Sequence, residues 1–366
     1  MVFLVALSFS SAAYCTDYDQ VLRDAKELIK AGNLLGAADL YERAAGSSTD
    51  VEAERLRGYA LMWRGRTSDA IAQFFNIANT FPSSQYAPDA LLRAANLKNK
   101  AGEDAGQDWE RLVRDYPGTK EAAEGLHQLG HYALRNGDPD VAATRFEQSA
   151  ALRDVDPEMA EDSQVELGYA YIGQYWKTLD PKCLAKAVRA FDPVTKSANA
   201  ERAIKAHLGR GEAYLRVGLP DPAWREYTAV LQLQPEEPYY RRVALFELAC
   251  CEYENERWTE AAEAFDRFLA DVPGGTLTGK DTQWKQARPD YARLAALNPA
   301  KANALSGLEL VPEAACWKAK ALLKAGHATD AKAIADDLTT RFPSLRIAYK
   351  VRELKTACDA AIGEGK

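Results

Sequence analysis

No stretch of the chain reaches the roughly 20 consecutive apolar residues that a membrane-spanning helix requires, so no transmembrane segment is expected. Histidine is scarce, with 4 in 366 residues, which narrows the scope for imidazole catalysis and metal ligation. The six cysteines include no C-x-x-C spacing, so neither a zinc knuckle nor a dithiol redox motif is supported. There is no G-x-x-x-x-G-K-[ST], no G-x-S-x-G and no G-x-G-x-x-G leading into a helix. A phosphate loop, a nucleophile elbow and a dinucleotide fingerprint are therefore missing, and no cofactor is expected. Lys and Arg form no long run, the net charge is -7 and the pI about 5.4, unlike the basic face of a nucleic-acid binder. Gly (23) and Pro (16) are too few for collagen-like or low-complexity sequence.

What the chain has is alanine, the strongest helix former, and a recurring pattern. In Leu56–Pro82 a first helix carries Gly58 and Leu61, Gly65 makes a turn, and a second helix carries Ala70, Phe74, Ile77 and Phe81 before Pro82 ends it. Those four residues fall at i, i+4, i+7 and i+11, one face of a helix. The same offsets hold Gly211, Tyr214, Gly218, Ala223, Tyr227, Val230 and Pro235, and again Ala319, Leu322, Gly326, Ala331, Ala335, Leu338 and Pro343. A further copy has Ala249, Ala261, Phe265, Phe268 and Pro273, and weaker ones fill the gaps. Small residues let paired helices approach, and the aromatic four residues after the second small position is expected to fill the space they leave. Copies depart from the pattern in two places. Around Ala95–Trp109 the turn reads as about two residues short. Around Tyr175–Pro181 roughly seven extra residues are expected to lengthen the inter-helix turn.

These residues resemble the tetratricopeptide repeat (TPR), from about Tyr18 to Pro343. The resemblance implies an all-α fold, a TPR α-solenoid: a right-handed superhelix of antiparallel helix pairs. The expected layout is seven pairs over 16–273, an insertion with a short helix over 274–312, an eighth pair over 313–344, and a capping helix and tail over 345–366. Thr80–Ala95 (TFPSSQYAPDALLRAA) and Asp115–Gly130 (DYPGTKEAAEGLHQLG) are similar to linkers of bacterial envelope proteins, of the Tol–Pal-associated cell-division coordinator and BamD-like outer-membrane assembly types. That likeness implies a periplasmic or outer-membrane-associated location. Residues 1–15 fit it as a signal peptide: an apolar run from Val2 to Leu7 precedes small residues, with Ser11-x-Ala13 or Ala13-x-Cys15 as cleavage site, although no Lys or Arg precedes the run. The competing reading is a short apolar helix capping a cytoplasmic adaptor.

Stacked pairs curve so that first helices line the concave side. Positions three before, one after and five after the small residue are expected to face a protein or peptide partner there. They place Arg55, Tyr59 and Trp63 in the second pair, His127, His131 and Arg135 in the fourth, Tyr169 in the fifth, Glu212 and Arg216 in the sixth, and Phe246 and Tyr253 in the seventh. Aromatics and Arg on one face match the composition of interaction hot spots. His127 and His131 share a helical face as in an H-E-x-x-H zinc site, but Gln128 stands where the general base would be and no third ligand follows by spacing. No metal site is assigned, and no catalytic residue. The alternative is an enzyme accessory, acting on glycans or through a metal, with its groups in the 274–312 insertion or at the two histidines. Cys316 and Cys358 should lie on neighbouring helices, either as an oxidisable pair or as small buried hydrophobes.

Overall fold

A computed structural model describes residues 18–272, 310–341 and 348–364. Among these the regular structure is seventeen α-helices and one short 3-10 turn, with no strand. The expected signal peptide (1–15, with Cys15), nearly all of the expected insertion (274–312, including the short helix at Trp284–Leu297) and Pro343 lie outside the described residues. The chain divides into two compact units, Met1–Tyr132 and Ala133–Lys366.

In the first unit the helices are α1 (Tyr18–Lys30), α2 (Leu34–Ala45), α3 (Val51–Trp63), α4 (Thr67–Thr80), α5 (Ala87–Lys100), α6 (Gly106–Asp115) and α7 (Lys120–Arg135) as far as Tyr132. Short polar side chains start several of them. Asn33 Oδ1 accepts from the Gly36 amide at 2.9 Å and Asp50 Oδ1 from the Ala53 amide at 2.7 Å, satisfying amides that have no partner inside the helix. Gly65 closes the turn between α3 and α4 at φ +74°, a conformation that costs an ordinary residue a Cβ clash.

The stripe Ala70, Phe74 and Ile77 is fully buried. Phe81 falls just past the end of α4 and is half-buried. Ala101–Ala105 between α5 and α6 is longer than the α3–α4 turn, and α6 has only 10 residues. The missing residues therefore come out of the second helix, not out of the turn. Trp109 still reaches the core, fully buried, with Nε1 donating to Asn96 Oδ1 at 3.0 Å.

The second unit holds α8 (Pro139–Ala150), α9 (Pro157–Thr178), α10 (Pro181–Phe191), a 3-10 turn (Val194–Lys196), α11 (Ala200–Arg216), α12 (Pro220–Gln232), α13 (Pro238–Glu254), α14 (Trp258–Ala270), α15 (Leu310–Lys324), α16 (Ala328–Arg341) and α17 (Ala348–Glu364). Five of these helices begin at a proline, whose missing N–H is spare in a first turn. Helices α11, α13 and α15 are the first members of successive pairs, with α12, α14 and α16 as their seconds. Helix α14 packs directly on α15, and α16 on α17. Helix α15 starts at Leu310, so 310–312 belong to it and not to the insertion. The last helix runs Ala348–Glu364.

The extra residues of the fifth pair do not lengthen a turn. They extend α9 to 22 residues, which then stops at Leu179 (φ +57°). Continuing the helix keeps one backbone bond per residue and lays Tyr175 and Trp176 against the buried cluster of Val165, Leu184 and Phe191.

Aromatic side chains fill the spaces left by small residues. A Cβ built on Gly211 would lie 2.9 Å from the Tyr227 ring, and Tyr227 is 1% exposed. Phe191 fills the equivalent spaces at Gly168 and Gly209.

Candidate interaction site on the first-helix faces

In the first unit the expected residues sit on α3 and α7. Arg55 is half-buried with its guanidinium 4.0 Å from the centroid of the Tyr86 ring, and its Nε has no hydrogen-bond partner among the described residues. Tyr59 packs between Tyr41 (5.4 Å) and Phe74 (5.6 Å, edge-on), with its hydroxyl donating to Asp89 Oδ2 at 2.8 Å. Burial, and then the charge of Asp89, push that hydroxyl up to about 12, so Tyr59 is a neutral donor bridging α3 and α5. Trp63 is half-buried against the cluster built on Ala37, Tyr41 and Leu56.

His127 and His131 meet edge-on with their Nε2 atoms 3.1 Å apart, close enough for one imidazole to donate to the other. Among the described residues no group of three or more His, Cys, Asp or Glu forms a metal cage.

In the second unit Arg135 is exposed. Tyr169 donates to the Lys205 carbonyl at 3.1 Å and stacks edge-on with Phe191 at 5.1 Å, tying α9 to α11. Glu212 and Arg216 form an i,i+4 pair at 3.7 Å, and the Arg216 guanidinium lies 5.2 Å over the Trp176 ring. Trp176 reaches this position because α9 is long. Tyr253 meets Trp258 at 4.9 Å and Trp317 at 5.0 Å, both edge-on. A Lys320 ammonium lies 4.4 Å over Trp317.

Phe246 does not face a partner. It is 0% exposed and wedged against Phe265 (5.7 Å) and Phe268 (5.3 Å) of α14. The residues three before the small position are buried in neighbouring pairs too, at Val165, Leu208 and Cys316, and beside Phe246 it is Glu247 that lines a cleft.

A cleft of about 330 Å³ opens on this face, lined by Leu215 and Arg216 of α11, Glu247, Cys250, Tyr253 and Glu254 of α13, Phe265 of α14 and Trp317 of α15. Arg216 and Tyr253 were expected on this surface. Tyr253 stands four residues after Ala249, whereas Cys250 and Glu254 stand one and five after it, the positions to which the register itself points. Glu247 and Trp317 stand two before the small residues Ala249 and Ala319, a position the expected register omits. Three first helices thus contribute charged, aromatic and sulfur-bearing groups to one concavity. The Cys251 thiol behind the cleft is pushed up by burial and then by the charge of Glu247, away from reactivity.

Models of the tetratricopeptide repeat match residues 22–85 and 127–174, and a second such model matches 243–275. Those segments carry tetratricopeptide repeats. This repeat protein is similar in fold to the C-terminal part of a TPR repeat-containing protein from Cytophaga hutchinsonii, at 18% identity and a TM-score of 0.51, over 71% of this chain and 98% of that one. It is also similar to a STAND signal-transduction ATPase with a tetratricopeptide repeat sensor from Pyrococcus horikoshii, at 14% identity and 0.54, over 96% of this chain and 51% of that one. The apo form of RapI matches at 11% identity and 0.52, over 95% and 99%. A comparison with curated proteins found no match.

Proposed function

We propose that this TPR protein is a non-catalytic scaffold that holds a protein or peptide segment on its first-helix faces. The observation that carries this reading is the cleft of the second unit, where α11, α13 and α15 converge Arg216, Tyr253 and Trp317 on one concavity. Each helix pair buries its apolar stripe only against its neighbours, so the first-helix side chains that remain accessible are free to serve a partner. A photo-crosslinking amino acid at Tyr253 is expected to give discrete protein adducts in cells, and the same group at exposed Glu263 on α14 is not. Equal labelling from both positions, or none from Tyr253, would count against the reading.

We also propose that the scaffold works in the bacterial envelope, in the manner of the Tol–Pal coordinator and BamD-like proteins that its aromatic-Pro linkers resemble. The apolar run Val2–Leu7 followed by Ser11-x-Ala13 supports export. Sequencing the mature N-terminus tests it: cleavage near Ala13 is expected, and a chain that keeps Met1 would remove the case.

A further inference from the structure

The three buried glutamates among the described residues of the second unit are not equivalent. Glu226 accepts from Arg210 Nη2 at 2.8 Å and lies 2.7 Å from His207 Nδ1. Glu252 accepts from Trp224 Nε1 at 2.6 Å and from Arg257 Nε at 2.5 Å. Glu247 is buried to the same degree, 7% exposed, yet among the described residues no donor or cation meets its carboxylate. It lines the cleft instead. A carboxylate that meets water only through a cleft and has no protein partner is poorly compensated, and an incoming cation would improve its solvation.

The rest of the lining agrees in charge and shape. Arg216 is paired with Glu212 at 3.7 Å and lies over the Trp176 ring, while its Nε has no hydrogen-bond partner among the described residues. Against that one cation the lining sets two carboxylates, Glu247 and Glu254. Leu215, Tyr253, Phe265 and Trp317 give an apolar and aromatic wall beside them, suited to a long aliphatic stem ending in a cation. About 330 Å³ is at the small end for a ligand pocket, the size for one long side chain and not for a folded segment.

We propose that the Glu247 cleft is the recognition pocket for a lysine or arginine side chain of the bound segment, with its cation on the Glu247 carboxylate and its stem against Tyr253 and Trp317. This rests on the reading of the chain as a peptide-binding scaffold.

The test is a random peptide display library selected on the full chain. Recovered peptides are expected to be enriched in Lys or Arg. Replacing the decisive Arg by citrulline, or Lys by norleucine, should weaken binding about tenfold, as should E247Q, the value of one charge-assisted hydrogen bond. In E247Q the charged and uncharged peptides should bind alike, while E263Q should leave affinities unchanged. Peptides without a basic preference, or binding indifferent to E247Q, would overturn the pocket and leave the scaffold standing. A library that yields no binder overturns both. If E247Q fails to fold by circular dichroism, the citrulline and norleucine comparison on the unaltered protein decides the matter alone.

Discussion

A Cβ on Gly58 would sit 2.6 Å from Cε1 of Phe74. The two residues belong to the paired helices α3 and α4, and Phe74 is fully buried, so the ring has nowhere to retreat. In an exposed helix Gly→Ala stabilises by roughly 1 kcal/mol. Here overpacking works against it at about 1–3 kcal/mol, and overpacking wins. G58A should lower the urea midpoint of unfolding, and F74L in the same chain should recover part of the loss. A G58A protein as stable as the parent would show that the pair tolerates a wider separation.

The turn between α13 and α14, like the one at Leu179 after α9, departs from the glycine rule of the remaining pairs. Glycine occupies this place in the turns at Gly32, Gly65, Gly102, Gly137, Gly218 and Gly326, with φ between +74° and +89°, whereas Glu256 holds φ +59°. A left-handed non-glycine residue costs roughly 1–2 kcal/mol, partly offset by the extra unfolded-state entropy of glycine. E256G should therefore stabilise the protein by about 0.5–1 kcal/mol, seen as a higher thermal midpoint. A lower midpoint would mean that the glutamate makes a compensating interaction.

Burial pushes the Glu166 carboxyl of α9 up from 4.5 to about 7, with Asp162 adding to the rise and Lys205 opposing it. The folded state thus holds its proton more tightly than the unfolded state. The penalty is nil below the unfolded value near 4.5, grows as pH rises toward 7, and is constant above. E166Q, which never ionises, should match the parent at pH 4.5 and exceed it by about 1–2 kcal/mol at pH 8, less than the full shift implies because solvent screens a half-buried group. Urea titrations at the two pH values check this, and a pH-independent offset would refute it.

The thiols divide by burial. Cys251, Cys316 and Cys358 are buried, and burial is the first cause raising each of them; Cys183 and Cys250 are half-buried. Iodoacetamide on the native protein should modify Cys183 and Cys250 first, with the buried three reacting only on unfolding. Cys316 and Cys358 share one buried cluster as free thiols. Mass spectrometry of tryptic peptides reports the order directly.

Most of the helical architecture was legible before any coordinates, and for a local reason. Gly58, Ala70, Phe74 and Ile77 repeat at helical spacing, and Gly65 and its equivalents mark turns, because backbone conformation and one-face burial are set within a dozen residues. The fates of Tyr175–Pro181 and of the short α6 were not legible. An insertion or deletion can be absorbed by a turn or by a helix, and the choice depends on whether the added side chains find a surface to bury against, as Tyr175 and Trp176 do.

The sequence by itself determined the period, the small-and-aromatic pairing of the helices and which helix of each pair bears Arg216, Tyr253 and their like. Only the tertiary structure decided which of those side chains is accessible. Successive residues of a helix differ by about 100° in direction, so with Phe246 in the core the next residue, Glu247, comes to the cleft. Phe246 is held there by packing against Phe265 and Phe268, contacts between helices that no spacing within one helix encodes.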